Sequence, residues 1–336
     1  MVTIKDIARE SGYSISTVSR VLNHRNDVSP EAKKKIEEVV EQFNFVPNNN
    51  AKQLKLSNSK SIGVLVKGIS NMLFAGIVEE MQRMIEKTDY TLVVSYLDEE
   101  ADEVEQAILL CRERKPLGLL FLGGNPEYFE REFAEVGVPS VLVTNRANRM
   151  HFDNLSSVAT DDIEASCCAV DALFEAGHEE IGILGGNIDT SYTSRQRYRG
   201  CEKSFLAHGK ELNMRLCYEN VRYSYESAYR GMRRLIEKYP KLSAVFAMSD
   251  VMAIGAIRAL RDLNYRIPED ISVIGFDGTP MADYYNPKLA TIKQQYQTLA
   301  SRSIEILFGQ IELKKEPVHE IVPFEFVNGQ SIRKMN

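Results

Sequence analysis

At 336 residues, 44% hydrophobic and 26% charged, the chain is too long for one compact core and too evenly mixed to be disordered or fibrous. No apolar run approaches the roughly 18 residues of a membrane span, and the opening MVTIKDIARE lacks a secretion signal's apolar stretch, so a cytoplasmic protein with no membrane partner is expected. The net charge of −6 is unevenly spread: residues 1–60 hold ten Lys and Arg against seven Asp and Glu, the remaining 276 hold 31 against 40. Any contact with nucleic-acid phosphate therefore belongs to the N-terminal end.

Three short helices can be read in the first 46 residues. Ile4, Ile7 and Ala8 recur at helical spacing, and Ser11-Gly12 ends that helix. Ser14 is placed to cap a second, whose Val18, Val21 and Leu22 share one face. Ser29-Pro30-Glu31 opens a third with a buried stripe of Ala32, Ile36, Val39, Val40 and Phe43. Two helices joined by a tight glycine-containing turn, with a third behind, form a helix-turn-helix. On the second helix the opposite face carries Ile15, Ser16, Ser19 and Arg20, small enough to approach a base edge closely. Arg20 can donate two parallel hydrogen bonds to guanine. The run Lys33, Lys34, Lys35 reads as a solvated face that adds, at most, contacts to backbone phosphate.

The segment TIKDIARESGYSISTVSRVLN, continuing through VSPEAKKKIEEVVEQFNFVPN, resembles the headpiece of the lac/gal repressor family. The resemblance puts Ile15, Ser16 and Arg20 at base-reading positions, with Ser19 beside them and Asn23 closing the segment, and it implies double-stranded operator DNA as partner. Tyr13 and the Ile15-Ser16 pair depart from the family's usual residues, which bears on the operator sequence.

Residues 47–60 form a linker in which Asn48 can cap a turn or two of helix with Ala51 and Leu54 on one side. A helix this short is marginal alone, since isolated helices need roughly 12–15 residues. The stretch resembles the family's hinge helix, whose leucine at the position of Leu54 wedges into the minor groove, while small Ala51 lets two such helices of a homodimer approach.

From residue 61 to 330, apolar runs at 62–66, 91–96, 118–122, 140–144, 181–184, 244–248 and 271–276 alternate with helical stretches near 74–88, 101–115, 163–177, 195–209, 225–239 and 250–264. This alternation predicts parallel sheets flanked by helices in two lobes, with the chain returning through 291–295. The expected fold is thus α/β, a small all-α headpiece on a two-lobed core. Ligands bind beyond the carboxyl ends of parallel strands. That rule selects Ser70–Phe74, Asp98, Gly123-Gly124, Asn145, Asp161, Thr193–Arg197, Ser249-Asp250 and Asp277, with the aromatics Phe74, Tyr223 and Tyr296. Carboxylates, an Arg and hydroxyls suit a sugar's hydroxyls, and aromatic rings suit its apolar face. No histidine or nucleophile pair joins the set, so catalysis is not expected. The five cysteines show neither CxxC nor metal spacing, and neither glycine doublet continues into a nucleotide fingerprint, so no metal or cofactor is expected.

The motifs IGVLVKGISNMLFAGIV, AGHEEIGILGG, SRQRYRG, SDVMAIGAIRAL, PEDISVIGFDGT and LATIKQQY resemble the same family, extending the likeness over residues 2 to about 325. It implies a periplasmic-binding-protein-like core that closes on a small effector. Leu73 and Phe74 would face the effector from the first lobe; Asp161, Arg197, Tyr223, Asp250 and Asp277 from the second; Tyr296 near the crossover. The residues also allow plainer roles: Asp161 and Asp250 as helix caps, Arg197 in an internal ion pair. The expected function is a sugar-controlled repressor of carbohydrate-use genes. The alternatives are a regulator answering to a protein corepressor or a purine, and, from another class, a solute-binding receptor.

Overall fold

The computed structural model describes residues 4–22, 28–43, 60–68 and 71–335. Asn23, Asn48, Ala51 and Leu54, and most of the hinge segment, lie outside the described residues. The chain divides into two compact units, residues 1–59 and 60–336.

In the first unit, α1 (Ile4–Ser11), α2 (Ile15–Leu22) and α3 (Pro30–Gln42) enclose Ile7, Ala8, Val18, Val21, Ile36 and Val39. Gly12 adopts φ +74° and sends its N–H back to the Ala8 carbonyl at 3.1 Å, which stops α1 sharply. Ser14 Oγ accepts from the Thr17 amide at 3.2 Å, and Ser29 Oγ from the Ala32 amide at 3.3 Å ahead of Pro30. Phe43 is the exception to the expected stripe. It falls just past the last turn of α3 and is 37% exposed.

The second unit holds two six-stranded sheets. The first lobe comprises β1 (Ser61–Lys67), α4 (Met72–Ile85), β2 (Thr91–Leu97), α5 (Glu103–Arg114), β3 (Gly118–Leu122), α6 (Pro126–Glu132), β4 (Ser140–Val143) and β5 (Leu155–Ala159). The second comprises α7 (Asp162–Glu175), β6 (Ile181–Gly185), α8 (Tyr192–Ala207), the single turn α9 (Met214–Cys217), β7 (Tyr218–Asn220), α10 (Tyr225–Lys238), β8 (Ala244–Ala247), α11 (Asp250–Asp262), β9 (Ser272–Asp277), α12 (Pro280–Tyr284) and β10 (Ala290–Gln294). The chain then returns to the first lobe as α13 (Tyr296–Leu313) and β11 (His319–Ile321), and ends in the second as β12 (Phe324–Val327). The strand orders are β11-β5-β4-β3-β1-β2 and β12-β10-β9-β8-β6-β7, parallel except for β12 against β10.

Strands such as SIGVLVK and GLLFL are buried almost throughout because helices cover both faces of a parallel sheet. The chain passes between lobes three times: from β5 to α7, from β10 to α13 and from β11 to β12. One return was expected, near 291–295; the other two run through segments with no strong apolar pattern.

Candidate effector cleft and DNA-reading face

On α2, Val18 and Val21 are buried while Ile15 is 45% exposed and Ser16 and Arg20 also face out. Ser14, Ser16 and Thr17 share hydroxyl contacts, 2.7 Å from Ser14 to Ser16 and 2.8 Å from Ser14 to Thr17, which tie the start of the helix together. Alternation of core and surface positions along one helix therefore places Ile15, Ser16 and Arg20 together on an outward face. Lys33, Lys34 and Lys35 are exposed on α3.

In the core, the carboxyl ends of both sheets border one cleft. Its first-lobe wall includes Lys67, Asn71, Leu73, Phe74, Glu99, Asn125 and Asn145; the second lobe supplies Thr190, Ser191, Tyr192, Thr193, Arg197 and Tyr223. The cleft space is about 90 Å³, several times the roughly 10–15 Å³ one water fills on the same measure. Two glycines make room for the aromatic walls. A Cβ on Gly123 would lie 2.8 Å from the Phe74 ring, and one on Gly186 2.9 Å from the Tyr223 ring. Thr144, which follows β4 into the cleft, holds φ +75°, an unfavourable conformation for a β-branched residue and typical of strain kept at a binding site.

Polar contacts draw the lobes together around this space. Thr193 Oγ1 donates to Asn145 Oδ1 at 2.9 Å, and Asn125 Nδ2 to the Thr190 carbonyl at 3.3 Å. Further out, Arg195 reaches Glu127 at 2.9 Å, and Arg222 donates to both oxygens of Asp98 at 2.9 and 2.8 Å and also to Glu99. These outer pairs are largely exposed, so each contributes modestly to closure.

Of the residues the strand-end rule selects, the structure brings Asn71, Leu73, Phe74, Gly123, Gly124, Asn145, Thr193, Arg197 and Tyr223 to the cleft wall. Asp98, Asp161, Asp250, Asp277 and Tyr296 do not line it, for identifiable reasons. Asp98 sits on the rim, held by Arg222. Asp161 caps α7, accepting from the Ile163 and Glu164 amides at 3.2 and 3.3 Å, and pairs with Arg146 at 3.3 Å. Tyr296 packs its ring over Gly76 of α4, in the first lobe's core. Asp250 does not cap α11; Ser249 does, accepting from the Met252 amide at 3.1 Å. The Asp250 carboxylate is instead fully buried and accepts from the Thr279 amide and hydroxyl at 2.6 and 2.9 Å and from the Thr291 hydroxyl at 2.6 Å. It cross-links the loop after β9 to β10.

Asp277 closes β9 at φ +117° and is 1% exposed. Its Oδ1 accepts from Gln294 Nε2 at 2.9 Å and lies 3.8 Å from the Arg197 guanidinium, while its Oδ2 is buried with no partner. Burial pushes the Asp277 carboxyl up to about 8, against the pull of Arg197 and with a push from Asp250, itself raised to about 6 by burial.

Arg197 is 4% exposed and its charge is met from behind. Nε donates to Asp162 at 2.8 Å, Nη1 donates to the Met248 carbonyl, and the guanidinium lies 3.7 Å above the centre of the Phe276 ring. Asp162 is likewise buried, and that burial holds its carboxyl above the usual range despite the arginine. Arg197 therefore lines the cleft and serves an internal ion pair at once.

The sequence reading did not single out Lys67, Glu99, Asn125 and Tyr192. Three of the cleft's loops announce themselves as helix starts: Asn71 before α4, Asn125-Pro126 before α6 and Ser191 before α8, each accepting from an amide of the first turn. Helix starts that converge on one space are the signal that could have found them. Among the described residues, no His, Cys, Asp and Glu group could hold a metal, and no helix is long and apolar enough to cross a membrane.

The chain carries a helix-turn-helix unit and a two-lobed unit with a polar cleft, a combination that defines the class of DNA-binding regulators. Residues 3–48 match the model of bacterial regulatory proteins of the lacI family, and residues 170–332 that of the periplasmic binding protein-like domain. The HTH-type transcriptional regulator MalR of Clostridium butyricum is 35% identical over 333 residues, covering 98% of this chain and 99% of its own. The ribose operon repressor of Haemophilus influenzae is 29% identical, covering 96% of both. Among solved structures, a lac repressor dimer bound to operator and the anti-inducer ONPF aligns with a TM-score of 0.72 and 25% identity over 99% of both chains. The chain belongs to the lacI family of bacterial regulatory proteins. It is a DNA-binding transcription regulator and not an enzyme.

Proposed function

We propose that this regulator is a repressor of carbohydrate-use genes whose grip on operator DNA is governed by a sugar-like effector held between the lobes. In this reading residues 1–46 read DNA, 47–60 couple, and 61–330 sense the effector and form a homodimer. The observation that carries it is the composition of the cleft wall. Phe74, Tyr192 and Tyr223 stand among the amides of Asn71, Asn125 and Asn145 and the hydroxyls of Thr190 and Thr193, a mixture matched to a ring with polar edges and apolar faces. A relative named for the ribose operon supports the same class. Leu73, Phe74, Thr193, Arg197 and Tyr223 are the proposed effector contacts from the sequence set, with Tyr192 added.

A thermal-shift screen of sugars, sugar phosphates and nucleosides tests the reading, since a ligand at 100 times its dissociation constant stabilises by about 2.7 kcal/mol. A sugar should stabilise the wild type, and Tyr192→Ala should lose most of that effect. A shift given only by nucleosides would support a purine effector instead. An unchanged shift in Tyr192→Ala would place the ligand outside the cleft.

For the DNA side, Ile15, Ser16, Ser19, Arg20 and Asn23 are assigned to base reading. Asn48, Ala51 and Leu54 are assigned to the hinge, with Leu54 at the centre of a near-palindromic operator. Arg20→Ala should cost about 1–3 kcal/mol on an operator selected from random duplexes, flattening preference at one base pair per half-site. The loss is to be read by titration against both selected and random DNA. Equal loss on the two would reduce Arg20 to a phosphate contact.

A further inference from the structure

The proposed effector site contains cations, yet each is already answered. Lys67 lies on the cleft wall at the end of β1; its Nζ donates to Glu103 Oε2 at 2.7 Å and sits 4.7 Å from the centre of the Tyr128 ring. Glu103 is the first residue of α5 and is 1% exposed; its other oxygen accepts from the Asn125 amide. With both oxygens accepting, the geometry fits the ionised carboxylate. Arg197 is answered by Asp162 at 2.8 Å. Glu99 adds a carboxylate to the wall, held by Arg222 and the Tyr223 amide. Among the described residues lining the cleft, no cation is left without a carboxylate.

Three helix N-termini also face this space, and such ends ordinarily favour anions. Here one amide of each first turn is already met by the capping side chain: Leu73 N by Asn71, Glu127 N by Asn125 and Ser194 N by Ser191. A phosphate or carboxylate entering the cleft would lose its water and find no uncompensated charge in return. A hydroxyl-bearing ligand meets no such barrier, because its groups exchange water for amide and hydroxyl partners one for one.

We infer that the cleft accepts an uncharged, polyhydroxylated ligand and rejects phosphorylated or carboxylated analogues, with Glu103 enforcing the rejection by neutralising Lys67. This inference rests on the cleft being the effector site, and it assigns specificity to two residues outside the sequence-derived set. Glu103→Gln leaves the shape of the side chain and releases the Lys67 charge into the cleft. Inorganic phosphate, titrated against the full-length chain by thermal shift and calorimetry, should leave the wild type unmoved and raise the melting temperature of Glu103→Gln. In parallel, uncharged sugars and their phosphates should divide, the wild type responding only to uncharged members.

Because Glu103 is buried, the double variant Lys67→Met with Glu103→Gln provides a second arm that removes the pair without leaving a lone charge. It should not respond to phosphate, which ties any response of Glu103→Gln to the released Lys67 charge. A wild-type response to sugar phosphates, a folded Glu103→Gln that ignores phosphate, or a double variant that responds to phosphate as Glu103→Gln does would each overturn the inference. None of these outcomes would remove the effector from the cleft. Only binding that survives Tyr192→Ala unchanged would do that, and it would overturn the underlying reading.

Discussion

Replacing Arg197 with alanine should lower the unfolding free energy by about 3–5 kcal/mol, the usual cost of leaving one member of a buried ion pair behind. Asp162 is 7% exposed and takes its charged hydrogen bond from Arg197; the Met248 carbonyl loses a donor and the Phe276 ring a cation in the same step. Little water can reach Asp162 in compensation. Chemical denaturation of the two proteins at one pH reads the difference. A loss below about 1 kcal/mol, the scale of an exposed pair, would mean that Arg197 is solvated in solution and free to serve a ligand alone. The expected result also bears on interpretation. Loss of effector binding in Arg197→Ala would not by itself establish a contact, because the wall carrying Thr193 would be weakened too.

The second large effect concerns pH. Asp277 is protonated in the folded chain up to about pH 8, whereas in the unfolded chain it ionises near its ordinary 3.8. Between those values the folded state holds a proton that the unfolded state has released, so stability falls as pH rises through the window. Asp250, raised to about 6, adds to the fall in the lower part of the range. Asp277→Asn keeps a neutral side chain at every pH and can still meet Gln294. It should therefore flatten the decline between pH 5 and 8 and exceed the wild type in melting temperature at pH 8. Parallel melting curves for the two proteins across that range would show that Asp277 is already ionised at pH 5.

Much of this architecture was legible because its signals are local. Ser29-Pro30 marks the start of α3, Gly12 the stop of α1, and continuous apolar runs mark strands buried on both faces. β5 was missed because LSSVA has no apolar pattern to read. Its serines are buried yet satisfied from distant parts of the chain, Ser156 by Gln310 and the Val318 amide, and Ser157 by His319 and the Ala147 amide. α13 was missed for a related reason. It begins without a side-chain cap, and it buries Ser303 and Gln310 along with Leu299 and Ile304.

The cleft was half legible. The strand-end rule found Phe74, Thr193, Arg197 and Tyr223, whose positions follow from topology. It could not tell that Asp250 and Asp277 turn inward, since that depends on Thr279, Thr291 and Gln294 across the sheet. Nor could it see that Glu103, the first residue of the helix after β2, stands behind Lys67.

The central claim is that occupancy of the cleft and sequence-specific DNA binding are linked. The most direct test is an anisotropy titration of a selected palindromic duplex with the full-length chain, with and without the uncharged sugar found by thermal shift. The account predicts a 5- to 150-fold change in operator affinity, the range of a 1–3 kcal/mol coupling, and an equal change in sugar affinity when operator is bound. Superimposable isotherms in the presence of saturating, demonstrably bound sugar would contradict it.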